Sequence, residues 1–211
     1  MLIVCPELTE RKYPGAEWYQ EGGIMDTDGH IREKEERTFS AADRIVAEVK
    51  NRTQAAGKII LFGHSAGGQF VHRWALLGGK KNVDVIAVAN SGWFTMPDRD
   101  IDYPYGIKNV GITDEELGEA FAEPVILFMG EKDVERKPPF RDTPEADAQG
   151  MNRMERCMNY FRQCKAKAEE LRVPFRWKLE TVEGVAHQGV KMAEGAAYIF
   201  GKSSEDGNRR V

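Results

Sequence analysis

The sequence predicts an α/β protein: a mostly parallel sheet of about five strands with helices on both faces. Three observations carry that reading. Short apolar runs recur along the chain: LIVC, KIILF, VDVIAVA, PVILFM and FRWKLETV. Segments with apolar residues at helical spacing lie between them. Most of the runs are continuous rather than alternating, as strands buried on both faces read.

Residues 2–5 (LIVC) form an apolar run stopped by Pro6, read as a buried strand with Cys5 a small core residue. Residues 7–37 are polar and carry Pro14, Gly15, Gly22, Gly23 and Gly29. They read as a long loop, of the kind that is functional or mobile. Ser40 with Asp43 makes a helix start, because the hydroxyl caps free N–H groups and an acid suits the first turn. Ile45, Val46 and Val49 continue it at helical spacing. After Gly57 come a strand at 58–62, a tight turn at 63–68 and a helix at 69–77. Residues 83–89 are a third strand, 94–112 are irregular, 113–122 a short capped helix and 124–129 a fourth strand. A polar loop (131–148), a helix (149–172), a fifth strand (175–182) and a last helix (189–200) follow. The expected domain is residues 1–201, with 202–211 a polar, disordered tail.

A length of 211 residues suits one domain. With 41% hydrophobic and 30% charged residues the chain can build a core and is not disordered. Thirty basic against 34 acidic residues give a net charge of −4, which argues against binding a nucleic-acid backbone. No apolar run approaches the roughly 20 residues that span a bilayer, so no membrane partner is expected. Three cysteines make no disulfide scaffold. Cys157 and Cys164 share a helix face but lie about 10 Å apart by helical rise, too far to bridge. There is no CxxC and no Cys/His cluster, so neither a metal nor a cofactor is expected. The start, MLIVCPEL, lacks a basic n-region, and the cytoplasm is the expected compartment.

Gly63-His64-Ser65-Ala66-Gly67 is G-x-S-x-G. It follows an apolar strand and opens a helix, the setting a nucleophile elbow requires. Glycines at 63 and 67 give the turn room, and Gly68 adds more. The helix N-terminus directs positive potential at an anion near Ser65. A serine needs a base, and the chain offers four histidines. His30 lies in a charged loop. His64 diverges from its neighbour Ser65 and lines the pocket or packs locally. His72 lies about 10 Å along the helix from Ser65. His187, in a loop after the last strand, sits where open α/β sheets gather their sites, and is the candidate base. The third member follows an intervening strand. Asp133 is preferred, with Glu131 and Glu135 as close rivals and Asp98, Asp100 and Asp102 as a second location. Trp93, Phe94, Tyr103 and Tyr105 follow the third strand as walls of an acyl pocket or as packing for a small lid. Trp18 and Tyr19 can close its other side.

These residues resemble the α/β-hydrolase superfamily and, more narrowly, the bacterial poly(3-hydroxybutyrate) depolymerase-like serine esterases. The resemblance extends through GHSAGGQFVHR (63–73), YPG (13–15), SGWFTMP (91–97), YPYG (103–106) and TPEADAQG (143–150), covering nearly the whole chain. It implies hydrolysis of a small-molecule carboxylic ester through an acyl-enzyme, with Ser65, Asp133 and His187 at the triad positions and the Ala66 N–H in the oxyanion hole. One departure stands out. The family's nucleophile strand is usually its fifth, whereas only LIVC precedes it here, and the strand that supplies the second oxyanion donor has no counterpart. The expectation is a chain lacking its first strands. The alternative places LIVC beside KIILF, with a loop N–H near Glu7 or Leu8 as substitute donor. A non-catalytic protein of the same fold is the competing functional class.

Overall fold

The computed structural model describes residues 2–53, 57–78 and 82–207. The elements in chain order are α1 (Gly15–Trp18), α2 (Thr38–Thr53), β1 (Ile60–His64), α3 (Ala66–Leu77), β2 (Val85–Ala89), α4 (Asp114–Ala122), β3 (Val125–Gly130), α5 (Pro144–Asp147), α6 (Arg153–Leu171), β4 (Lys178–Val182) and α7 (Gly189–Gly207). The strands pair in the order β1-β2-β3-β4, every pair parallel. His64 lies opposite Ala89, Ala89 opposite Phe128, and Gly130 opposite Val182. The carboxyl ends of all four strands therefore finish along one edge.

Period-two geometry divides the inner strands between two cores. Ile86, Val88, Val125, Leu127 and Met129 face one side, against Phe70 and Trp74 of α3, Leu117 and Phe121 of α4, and Tyr160 of α6. Ala87, Ala89 and Phe128 face the other, against Met192 and Ala196 of α7. Helices thus cover both faces, as the continuous apolar runs predict. Thr113 caps α4 through a capping box with Glu116. Cys157 and Cys164 are both buried and unbridged on α6. No helix among the described residues is long and apolar enough to cross a membrane.

The first expected strand is not one. Leu2 and Ile3 are 66% and 70% exposed, Cys5 is exposed with them, and the run has no ladder partner. Apolar composition makes a strand only where a neighbouring strand and a covering face receive it. LIVC does not lie beside β1, whose recorded neighbour is β2 alone. Residues 7–13 lean on α2 instead, where Glu7 and Leu8 line a groove with Ala41, Arg44 and Ile45. The early loop is also more ordered than predicted: it holds α1, a bridge between Met25 and Ile31, and the fully buried Ile24. α2 begins at Thr38, and the Ser40 hydroxyl caps no N–H but donates to the Glu35 and Arg37 carbonyls. α7 continues to Gly207, beyond the predicted end at 200.

Candidate active site

Ser65 occupies the junction of β1 and α3 with φ 56° and ψ −113°. That backbone conformation is costly for a residue with a side chain and is typical of functional turns. Its N–H donates to the Ala89 carbonyl, and its own carbonyl accepts the first helical bond from Gln69. Room for the bend comes from two glycines. A Cβ on Gly63 would stand 2.3 Å from the Gly67 carbonyl oxygen, and one on Gly68 2.8 Å from the Ala89 carbonyl oxygen. Gly67 is less constrained than its place in the motif implies, since its Cβ would meet only the Tyr19 hydroxyl, at 3.4 Å. The Ala66 N–H belongs to the first turn of α3, whose N–H groups have no partner within the helix.

The structure brings Ser65, His187 and Asp133 together. His187 Nε2 lies 2.9 Å from Ser65 Oγ, and its Nδ1 lies 2.7 Å from Asp133 Oδ2. With the proton on Nδ1 donated to the carboxylate, Nε2 is free to accept from the serine hydroxyl. Asp133 is 2% exposed. None of its rivals stands in its place. Glu131 accepts from the Gly184 N–H, Glu135 pairs with Lys137, Asp98 caps the Asp100 N–H, and Asp102 pairs with Lys108.

The loops carrying the acid and the histidine are tied to each other. Asn90, at the end of β2 with φ 44°, accepts from the Gly130 N–H at 2.8 Å and donates to the Ala186 carbonyl at 3.1 Å. The Lys132 N–H donates to the Val185 carbonyl. Gly130 permits this approach, because a Cβ there would lie 2.6 Å from the Val185 carbonyl oxygen. Sequence reasoning missed Asn90; a polar residue closing an apolar strand was the available signal. It also missed Arg153, which donates to Asp133 Oδ1 at 3.1 Å.

The remaining candidates divide. The His64 ring sits 4.7 Å from that of His187. Burial, reinforced by the charges of His187 and Arg153, lowers its pKa to about 4, so it is neutral at pH 7. His72 is fully buried and bonded to the Gly68 carbonyl and the Thr95 N–H, one contact donating and one accepting, which requires the neutral ring. Burial holds its pKa well below the usual value. His30 is an exposed partner of Asp26. The expected aromatic wall is largely core. Phe94 stacks on Tyr160 at 4.5 Å, and its backbone pairs with the Gln149 amide in both directions. Tyr103 is buried with its hydroxyl donated to the Glu21 carbonyl. Trp93 is 1% exposed, between the Arg73 and Arg141 guanidiniums. These three are packed among buried residues, and Thr95 of the same segment is bonded to His72 and Arg73 of α3. Tyr105 remains half-buried, bonded to Thr143 and Arg141. Tyr19 approaches the elbow as expected, while Trp18 packs under Arg32.

Among the described residues, Asp26, Asp28 and His30 alone group in a way that could hold a metal ion. They sit on an exposed turn, and the Asp26 carboxylate already accepts from the Asp28 and His30 N–H groups.

A strained serine at a strand–helix junction, linked to a histidine and a buried acid from later strands in a parallel sheet, defines a hydrolase-type α/β protein. The solved structures agree. The poly(aspartic acid) hydrolase-1 of Sphingomonas sp. KT-1 superposes with a TM-score of 0.85 at 33% identity, covering 90% of this chain and 73% of that one. A poly(3-hydroxybutyrate) depolymerase of Bordetella parapertussis superposes with a TM-score of 0.81 at 30% identity, covering 89% of this chain and 65% of that one. No family model and no curated protein matches. The chain belongs to the α/β-hydrolases, in their depolymerase-like group, and is an esterase-type hydrolase acting on ester or amide bonds.

Proposed function

We propose that the protein cleaves a carboxylic ester through an acyl-enzyme on Ser65. The hydrogen-bonded chain Ser65–His187–Asp133, 2.9 Å and 2.7 Å in its two links, carries this reading. His187 Nε2 takes the hydroxyl proton as Ser65 Oγ attacks the carbonyl carbon. The Ala66 N–H faces the developing oxyanion. Collapse breaks the ester bond, and the alcohol leaves with the proton from His187. Water then attacks the acyl-enzyme, giving its proton to Nε2, and Ser65 is released with that proton as the acid departs. Asp133 keeps the imidazole in the required tautomer and stabilises its cationic form. His64 and Tyr19 border the reacting serine. The substrate of this reading is a small-molecule ester, no cofactor takes part in these steps, and the cytoplasm is the proposed compartment.

Amide cleavage is the second reading. It is favoured by the similarity to a poly(aspartic acid) hydrolase, whose named polymer is joined through amides. A panel of p-nitrophenyl esters, thioesters and anilides separates the two, with the highest kcat/KM expected on esters. Ser65→Ala should lower that rate by at least about 10³-fold. Ester turnover unchanged in Ser65→Ala would refute the proposal.

A further inference from the structure

We propose that Arg153 is a positioning residue of this site: it holds the outer oxygen of Asp133 so that the inner one meets His187, and its charge partly offsets the carboxylate that the imidazole faces. The inference rests on the Ser65–His187–Asp133 reading and adds a fourth member to it.

The geometry is specific. Arg153 opens α6, directly after the Asn152 cap, and is 4% exposed. One guanidinium nitrogen, Nη1, donates to Asp133 Oδ1 at 3.1 Å and to the Glu135 carbonyl at 3.4 Å. The other, Nη2, donates to the Pro139 carbonyl at 2.6 Å. The guanidinium stacks over the Phe140 ring, 5.0 Å from its centroid. One planar cation therefore fixes both the carboxylate and the loop that bears it. With Oδ1 engaged, Oδ2 is left to accept from His187 Nδ1.

The chemistry follows from burial. Asp133 and Arg153 are both nearly inaccessible, so water screens their interaction little. Arg153 Nε is buried without a hydrogen-bond partner, so the cation is not fully compensated by its contacts. An apolar side chain of similar volume would fill this space without the cost of desolvating a charge. What only a cation does here is act on the acid. A carboxylate shared with Arg153 stabilises the imidazolium less than one facing His187 alone. The His187 imidazole is faced by Asp133 from the β3 loop, by neutral His64 from β1 and, behind the acid, by Arg153 from α6.

Two variants test this. Arg153→Gln removes the charge. Its acid limb of kcat/KM on p-nitrophenyl acetate should move to higher pH by about one unit. The His187 Nδ1 proton, followed by NMR, should titrate with the same displacement. Arg153→Lys keeps the charge but cannot hold three acceptors in one plane. Its limb should stay in place while kcat falls at least about fivefold. Thermal melts establish that each variant is folded. An unmoved limb and an unmoved His187 titration in folded Arg153→Gln would overturn the electrostatic role. Should Arg153→Gln not fold, Arg153→Lys decides: wild-type kcat, or a limb displaced despite the retained charge, overturns the proposal. The NMR readout needs no turnover. Failure of the acyl-enzyme reading, shown by an active Ser65→Ala, is thus distinguishable from failure of this one.

Discussion

The two halves of the site are held in different ways. Ser65 is placed by backbone: a strand, a glycine-cleared bend and a helix start, with β1 and β2 bonded through the Ser65 N–H. Asp133 and His187 are placed by side chains reaching across the sheet edge, Asn90 from β2 and Arg153 from α6. Ser65 is therefore as rigid as the fold, whereas Asp133 and His187 stand on loops whose alignment depends on a few buried polar contacts. Damage to the first half should cost stability and activity together. Damage to the second should cost activity first.

The largest expected effect comes from the backbone half. Gly63→Ala drives a Cβ to 2.3 Å from the Gly67 carbonyl oxygen and should destabilise the protein by about 3 kcal/mol. Gly67→Ala is its control. Its Cβ meets only the Tyr19 hydroxyl at 3.4 Å, and alanine is the better helix former, so stability should change by less than about 1 kcal/mol. Chemical denaturation of the pair checks this; equal losses would mean the bend is not cleared as described.

In the side-chain half, Asn90→Ala leaves the Gly130 N–H and the Ala186 carbonyl without their partner. A cost of about 1–3 kcal/mol follows. Because both loops loosen, kcat should fall more than ten-fold with KM little changed. A KM effect with kcat preserved would show that Asn90 serves the pocket rather than the alignment.

The smallest effect concerns pH. The unfolded chain takes up a proton at His64 near pH 6.5, the folded chain only near pH 4. Across that window the unfolded state binds more protons, so stability falls as pH drops. His72, also held neutral by burial, acts in the same direction. His64→Gln should therefore lose less Tm between pH 7 and pH 5 than the wild type does. Identical losses would place the acid sensitivity elsewhere.

The same division explains what the sequence could disclose. Gly63 to Gly68 is a local pattern, with strand, bend and helix contiguous, so the elbow was readable from one window. Asp133 and His187 were readable because each follows a strand of recognisable character. Arg153 and Asn90 were not. Arg153 lies 20 residues from its acid, and Asn90 lies 96 from the carbonyl it holds. No spacing rule connects either to its partner. LIVC misled for a related reason: its composition matches that of β1, but strand formation needs a neighbour that composition does not encode. Phe94 and Tyr103 misled because the direction in which the 91–112 segment folds is set by Gln149, His72 and Glu21, all distant in sequence.

The most direct measurement is covalent labelling with a fluorophosphonate, mapped by peptide mass spectrometry and repeated on His187→Ala. One adduct is expected, on Ser65, formed quickly in the wild type and at least about a hundredfold more slowly without the imidazole. A folded wild-type protein that stays unlabelled, or that labels equally fast without His187, would contradict it.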